Sequence, residues 1–332
     1  MYNEIIDEIN SNLTGNKEKD KEFLKSQMVK YADSDYGQEI VLEIGRLMWD
    51  FLSDEEKSEF IKISDNENPI KDAFMEAKHY IDLHDLKTAL NILDSFFKIF
   101  PFGFNDDKIN EYHSFSNPIE EILFNEYIKT NKELRFIPPN QPYVELYYLY
   151  GFLLIEFSRF DEAENILDHA IKLNPVNSQI LLERAEIFKF KEKWVSFLDY
   201  SQKALNVAYS SADLARSYRN LGFYYIESED FELATALFNY SLSIEYSGTA
   251  FSELEYIKQL GHKNTIGESR MMELLESNNI QIGPNPIIFS ILSQLIIEAD
   301  LNKNNNALSY FYEIYYDLTG DEEVLKKMNN LP

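Results

Sequence analysis

The residues able to carry chemistry are few and scattered. Five histidines occur, His79, His84, His113, His169 and His262, and no two stand at ligand spacing. Zinc held on a helix needs side chains on one face, as at i and i+4, whereas His79 and His84 are five apart across a predicted helix junction. No metal site is expected. Asp33-Ser34-Asp35-Tyr36-Gly37 has the outline of a calcium loop, but its glycine comes one position early. Ile44 then stands where a bidentate glutamate would have to be, so Asp35 reads as a helix cap instead. The absence of cysteine excludes disulfides, thiolate metal sites and cysteine nucleophiles, which suits a reducing cytoplasm. No phosphate-cradling glycine loop, nucleophile elbow or Ser/His/Asp order is legible. Neither enzyme activity nor a cofactor is therefore expected.

The elements that position side chains must come from 332 residues that are 45% hydrophobic and 14% aromatic, enough to bury a large core. Fifty-seven acidic against 31 basic side chains give a net charge of −26, which repels a phosphate backbone and argues against a nucleic-acid partner. Two readings of that charge stay open: solubility alone, or attraction of a basic partner. The opening Met1-Tyr2-Asn3-Glu4-Ile5-Ile6-Asp7-Glu8 is acidic where an export signal is basic and then apolar. The apolar stretches Leu146 to Ile155 and Ile287 to Ile297 reach about half of the ~20 residues of a membrane span. A soluble cytoplasmic protein without a membrane partner is the expectation.

Apolar residues recur at spacings of three and four almost throughout, with glycine and proline at the joints, so the chain reads as all-α without a convincing strand. Capping signatures mark helix starts at Asp35 with Gln38, Ser53 with Glu56 and Asn117 with Glu120. Pro118 suits a first helical position. A 34-residue unit is clearest from Val144 to Asn177, with Tyr147 and Gly151 on its first helix, Ala163, Leu167 and Ala170 on its second, and Pro175 after it. Small residues let the two helices approach, and Pro175 stops the second. Ile70 to about Gly103 repeats the pattern with Ala77, Tyr80, Ala89, Leu93 and Pro101. Ala215 to about Gly248 does so with Tyr218, Gly222, Tyr225, Ala234 and Phe238, but has Ser241 for the later alanine and Tyr246 for proline. From Ser178 to about Ser211 the chain keeps Ala185, Phe188 and Ala204 yet places bulky Phe197 at a small-residue position. The next register arrives three residues late, which predicts an opened or rotated junction.

These units resemble tetratricopeptide repeats. The resemblance implies an α-α superhelix of antiparallel helix pairs over 67–332, preceded by an N-terminal helical region of no identified family over 1–66. Its clearest repeats are 70–103, 144–177, 178–211 and 215–248. Residues 102–143 form a helical insertion, with a helix from Pro118 to Thr130 and a corner at Ile137-Pro138-Pro139-Asn140-Gln141-Pro142. That insertion is read either as functional or as an acidic helix lying over a groove. Residues 249–332 give two degenerate pairs, a corner at Gly283-Pro284-Asn285-Pro286, and a capping helix after Gly320.

The family resemblance further implies that the first helix of each pair lines a concave groove. That places Tyr148, Leu149, Phe152 and Ile155 as an apolar floor, followed by Glu183, Glu186 and Lys189, then by Arg216, Arg219 and Asn220. A self-covered floor, a solvated ladder of ion pairs at 183, 186 and 189, and internal pairing of both arginines are the structural alternatives. Arginine forks suit a carboxylate, so an acidic segment or C-terminal carboxylate is the ligand they would favour. The chain is expected to be a non-enzymatic scaffold that receives a peptide or helix of a partner protein. The alternatives are a regulator whose superhelix closes on a ligand, and an enzyme seated on residues 1–66 or the insertion with no residue to name.

Overall fold

A computed structural model describes residues 2–31, 37–51, 68–99, 110–128, 130–137 and 141–331. The expected cap at Asp35, the Asp33 to Asp35 loop, the Ser53–Glu56 cap with the helix 54–63, Pro101 with Gly103, and the corner residues 138–140 lie outside them. Seventeen helices and two short strands occur among the described residues. The fold is all-α, built from consecutively packed helix pairs.

The chain forms two compact units, Met1–Ser114 with Thr130–Leu149, and Phe115–Lys129 with Tyr150–Pro332. The first unit holds α1 (Tyr2–Ser11), α2 (Lys17–Tyr31) and α3 (Gly37–Phe51), which bury Ile9, Leu24, Ile40 and Ile44 together. Asp20 closes the first turn by accepting from the backbone and hydroxyl of Thr14 at 2.7 and 2.8 Å. The same unit contains the pair α4 (Pro69–Asp82) and α5 (Leu86–Ile99).

It also contains a structure that the helical reading missed. β1 (Asn110–His113) pairs in parallel with β2 (Glu133–Phe136), in register from Asn110↔Glu133 to His113↔Phe136. Four-residue strands are too short for period-two alternation to show in sequence, and a parallel pairing joins segments too far apart for a hairpin signal. Between them in the chain lies α6 (Pro118–Tyr127), capped by Asn117, whose Oδ1 accepts from the Ile119 and Glu120 amides, with Pro118 in its first turn.

α7 (Tyr143–Glu156) belongs to the first unit up to Leu149 and to the second from Tyr150; the second unit continues with α8 (Phe160–Leu173), then α9 (Ser178–Phe190) with α10 (Trp194–Val207), and α11 (Ser211–Glu227) with α12 (Phe231–Ile244). α13 (Gly248–Gln259) and α14 (Glu268–Ser277) each pack on α12 and do not form the pair expected from sequence, α15 (Pro286–Leu301) pairs with α16 (Asn305–Thr319), and α17 (Glu322–Asn329) follows against α16. Gly320, in the left-handed region at φ 64°, terminates α16, and Gly283 turns the predicted corner at φ 71°.

Each pair closes with the same turn. Ser158, Glu192 and Glu229 all adopt φ between 54° and 61°, and each donates its amide to the carbonyl three residues back. The residue after each donates five residues back, as Arg159 does to Leu154, Lys193 to Phe188 and Asp230 to Tyr225. These are left-handed helix terminations filled by ordinary residues in place of glycine.

Close approach within pairs is set by positions sixteen residues apart. A Cβ on Gly151 would collide with the Leu167 side chain, and one on Gly222 would stand 2.9 Å from Phe238 Cε2. The equivalent positions in α9 and α10 are Ala185 and Ser201, two small residues facing the same space. The volume they leave explains Phe197: it is fully buried one turn before Ser201, edge-on to Trp194 and Phe223 at 6.2 Å. The bulk that predicted a disturbed repeat is taken up by smaller neighbours.

The insertion helix α6 is pinned through a fully buried carboxylate. Glu120 Oε2 accepts from the Ser116 amide at 2.7 Å and from Asn174 Nδ2 at 2.8 Å. Its Oε1 accepts from Asn177 Nδ2 at 2.9 Å and the Tyr209 hydroxyl at 3.1 Å. In the capping signature Glu120 should have reached the Asn117 amide. It instead takes the preceding one and spends its remaining lone pairs on the ends of α8, α9 and α10. α15 packs against α6 as well, with Asn285 donating to Tyr127, and Asp317 of α16 accepts from the amide and hydroxyl of Ser211 at 2.7 Å. The last helix pair thus returns to the start of α11.

Candidate functional site

A groove of about 510 Å³ runs across the first helices of successive pairs in the second unit. Its register follows from helical spacing, since residues three and four apart share a face. α7 contributes Phe152, Ile155 and Glu156, α9 contributes Glu183, Glu186, Lys189 and Phe190, and α11 contributes Arg216, Arg219, Asn220 and Phe223. Thr249 and Glu253 from α13, Phe238 from α12, and Ser158 and Ser247 from the connecting turns complete it. Of the candidates read from sequence, Phe152, Ile155, Glu183, Glu186, Arg216, Arg219 and Asn220 meet here. Tyr148 and Leu149 are half-buried and are not among the lining residues.

No described residue of the insertion lines this groove. α6 instead borders a separate apolar cavity of about 340 Å³, where Tyr127 and Ile128 face Pro175, Leu181 and Tyr200. Tyr127 and Ile128 end α6, so this end of the helix faces residues of α8, α9 and α10.

The charged residues are not the solvated ladder that surface spacing suggested. Glu183 is only 4% exposed, and Arg216 Nη1 donates to its Oε1 at 2.6 Å. Arg219 Nη1 donates to Glu245 at 3.2 Å. Lys189 donates to Glu186 at 3.2 Å, and its ammonium lies 4.4 Å from the centroid of the Phe223 ring. Both arginines expected to anchor a ligand are therefore paired within the protein. Glu183 sits one repeat back from Arg216, and Glu245 caps the partner helix of Arg219's own pair, both at distances along the chain that local patterning does not register.

Two groups lack such partners. Asn220 is 7% exposed, yet its Nδ2 has no hydrogen-bond partner in the protein. Glu253 is half-buried, and its carboxyl is pushed above the ordinary range first by burial and further by the charge of Glu227, against the pull of Lys189. Glu253 was missed because α13 belongs to a degenerate repeat with no register to assign faces. Phe190 and Phe223 were missed although each extends a visible stripe by one turn, from Glu186 and from Arg219 with Asn220 respectively. Phe190 stacks on Phe160 at 4.8 Å while remaining about half exposed.

The histidines do not gather. His262 stacks on Phe231 at 4.1 Å, His113 is buried with Nε2 3.2 Å from Glu111, and His84 occupies a left-handed turn. His169 is held below its usual pKa by burial and by Lys172. Among the described residues no group of three or more His, Asp or Glu side chains could hold a metal ion. No described helix is long and apolar enough to cross a membrane.

No family model matches the sequence. The chain is 33% identical over 132 residues to the glycine–tRNA ligase beta subunit of Dictyoglomus turgidum (strain DSM 6724 / Z-1310), a stretch covering 40% of this chain and 18% of that protein. The chain thus matches less than a fifth of that relative's length. Among solved structures, the MamA RS-1 ArsTM double mutant aligns over 70% of this chain and 97% of its own, with a TM-score of 0.35 and 12% identity.

Proposed function

We propose that the chain is a non-enzymatic interaction scaffold of the tetratricopeptide kind, receiving an extended peptide segment of a partner protein in the groove between α7 and α13. The observation that carries this reading is the Asn220 amide. A buried donor without an acceptor costs about 1–3 kcal/mol, and a groove floor is where a ligand carbonyl would remove that cost. Around it Phe152, Phe190 and Phe223 offer ring faces and edges to apolar ligand side chains, in the manner of a peptide laid across successive helices.

The test is selection from a phage-displayed library of random twelve-residue peptides against the full chain, followed by fluorescence anisotropy of recovered peptides on wild type, Phe152→Ala and Asn220→Ala. Circular dichroism melts confirm that the variants fold. Recovered peptides should lose affinity about ten-fold with Phe152→Ala, in line with hot-spot truncation of an aromatic anchor. Peptides that bind all three proteins equally overturn the groove as the receptor site.

A further inference from the structure

The groove's charge bookkeeping assigns the kind of partner. Every cation lining it is already matched: Arg216 by Glu183, Arg219 by Glu245 and Lys189 by Glu186. The lining carboxylates left without a cation at ion-pair distance are Glu156, exposed at the end of α7, and Glu253, half-buried on α13. Glu227, at the end of α11, adds its charge next to Glu253. The arginines visible in sequence suggested an acidic ligand. Their pairing reverses the sign, because an incoming carboxylate would have to displace Glu183 or Glu245 from its arginine and would meet two unmatched carboxylates.

We infer that the partner segment is basic: an apolar stretch flanked by lysine or arginine, with its apolar side chains against Phe152 and Phe223, a backbone carbonyl on Asn220, and its cations on Glu253 and Glu156. This rests on the groove reading above. The net charge of −26 steers such a segment toward the protein, and it disfavours a second copy of this chain as the occupant. The unmatched carboxylates stand on α7 and α13, the first and last helices of the lining in chain order, and that local placement is what turns general attraction into a site.

The same twelve-residue library distinguishes this inference from the reading it rests on. Selections are run at 0.15 M salt on wild type, Phe152→Ala and the double variant Glu156→Gln, Glu253→Gln. The double variant keeps nearly all of the chain's negative charge, so non-specific attraction of basic peptides persists in it and is subtracted. Peptides recovered on wild type and lost with Phe152→Ala should be enriched in lysine and arginine beside apolar positions. That enrichment should fall in the double variant, with affinity for individual peptides dropping about five-fold, as for the loss of partly screened ion pairs. Neutral or acidic peptides that still depend on Phe152, or basic ones indifferent to the double variant, overturn the basic partner and leave the groove standing. A library yielding no Phe152-dependent peptide overturns both.

Discussion

Arg216 and Glu183 stand 33 residues apart in the chain and join α11 to α9 through a 2.6 Å hydrogen bond on the groove wall. The glutamate is nearly inaccessible and the arginine about a third exposed, so the pair is asymmetric. Removing the arginine strands a buried carboxylate, whereas replacing both members removes the need for pairing. Arg216→Ala should therefore destabilise the fold by about 1–3 kcal/mol. Adding Glu183→Gln should recover part of that loss in a double-mutant cycle read by chemical denaturation. Strictly additive losses would show that the pair does not act as a unit.

The glycine positions make a steric prediction. Gly222→Ala puts a methyl against Phe238, and Gly151→Ala does the same against Leu167. Each should cost about 1–3 kcal/mol through overpacking. Pairing Gly151→Ala with Leu167→Ala should be less destabilising than the sum of the two changes, because the space removed by one is released by the other. Ala185 and Ser201 already show that this exchange is tolerated.

Much of the fold was legible because it is local and repeated. The glycine, alanine and proline offsets located the helix pairs, and the three-residue lag before Ala215 reappears in the turns, where Ser158 and Glu192 are 34 apart but Glu192 and Glu229 are 37. The left-handed turns themselves were invisible, since serine and glutamate announce no positive φ as glycine would. β1 and β2 were hidden by shortness and parallel pairing. In the groove, helical spacing delivered the lining of α9 and α11 but not its electrostatics. That Arg216 meets Glu183 depends on packing between repeats and that Arg219 meets Glu245 on the close of its own helix pair, and neither is a property of one sequence window.

Those turns carry a prediction of their own. A non-glycine residue in the left-handed region costs roughly 1 kcal/mol relative to glycine, partly offset by glycine's greater freedom when unfolded. Glu192→Gly and Glu229→Gly should each leave stability unchanged or raise it by up to about 1 kcal/mol, although both delete a side chain. Gly261, at φ 88° in the corresponding turn after α13, should respond the opposite way, with Gly261→Ala losing about 1 kcal/mol. Thermal melts of the three variants measure this, and a stabilising Gly261→Ala would contradict it.

The buried Glu120 carboxylate accepts from four donors that converge from Ser116, Asn174, Asn177 and Tyr209. Glu120→Gln preserves shape but turns one acceptor into a donor facing donors. It should cost about 2 kcal/mol. Tyr209→Phe removes a single bond and should cost about 1 kcal/mol. Faster amide hydrogen exchange confined to α6 in Glu120→Gln would show that this carboxylate holds the insertion helix in place. Uniform change across the chain would assign it to global stability instead.

Glu253 gives the groove a pH dependence whose sign is fixed. Its carboxyl is raised by burial and by Glu227, against Lys189, so the folded protein holds this proton more tightly than the unfolded chain does. As pH climbs from the ordinary carboxylate range through the raised value, the free protein loses a little stability from this site. A cationic ligand group acts in the opposite sense, favouring the ionised carboxylate, so affinity for a lysine-bearing peptide should rise across the same window and level off above it. Anisotropy titrations at stepped pH on wild type and Glu253→Gln measure both limbs. The variant should bind more weakly at neutral pH and lose the rise, and this site's share of the stability change through that interval should disappear from its melts. A rise that survives in Glu253→Gln would place the titrating group elsewhere, and a flat wild-type profile would remove Glu253 from the ligand's reach.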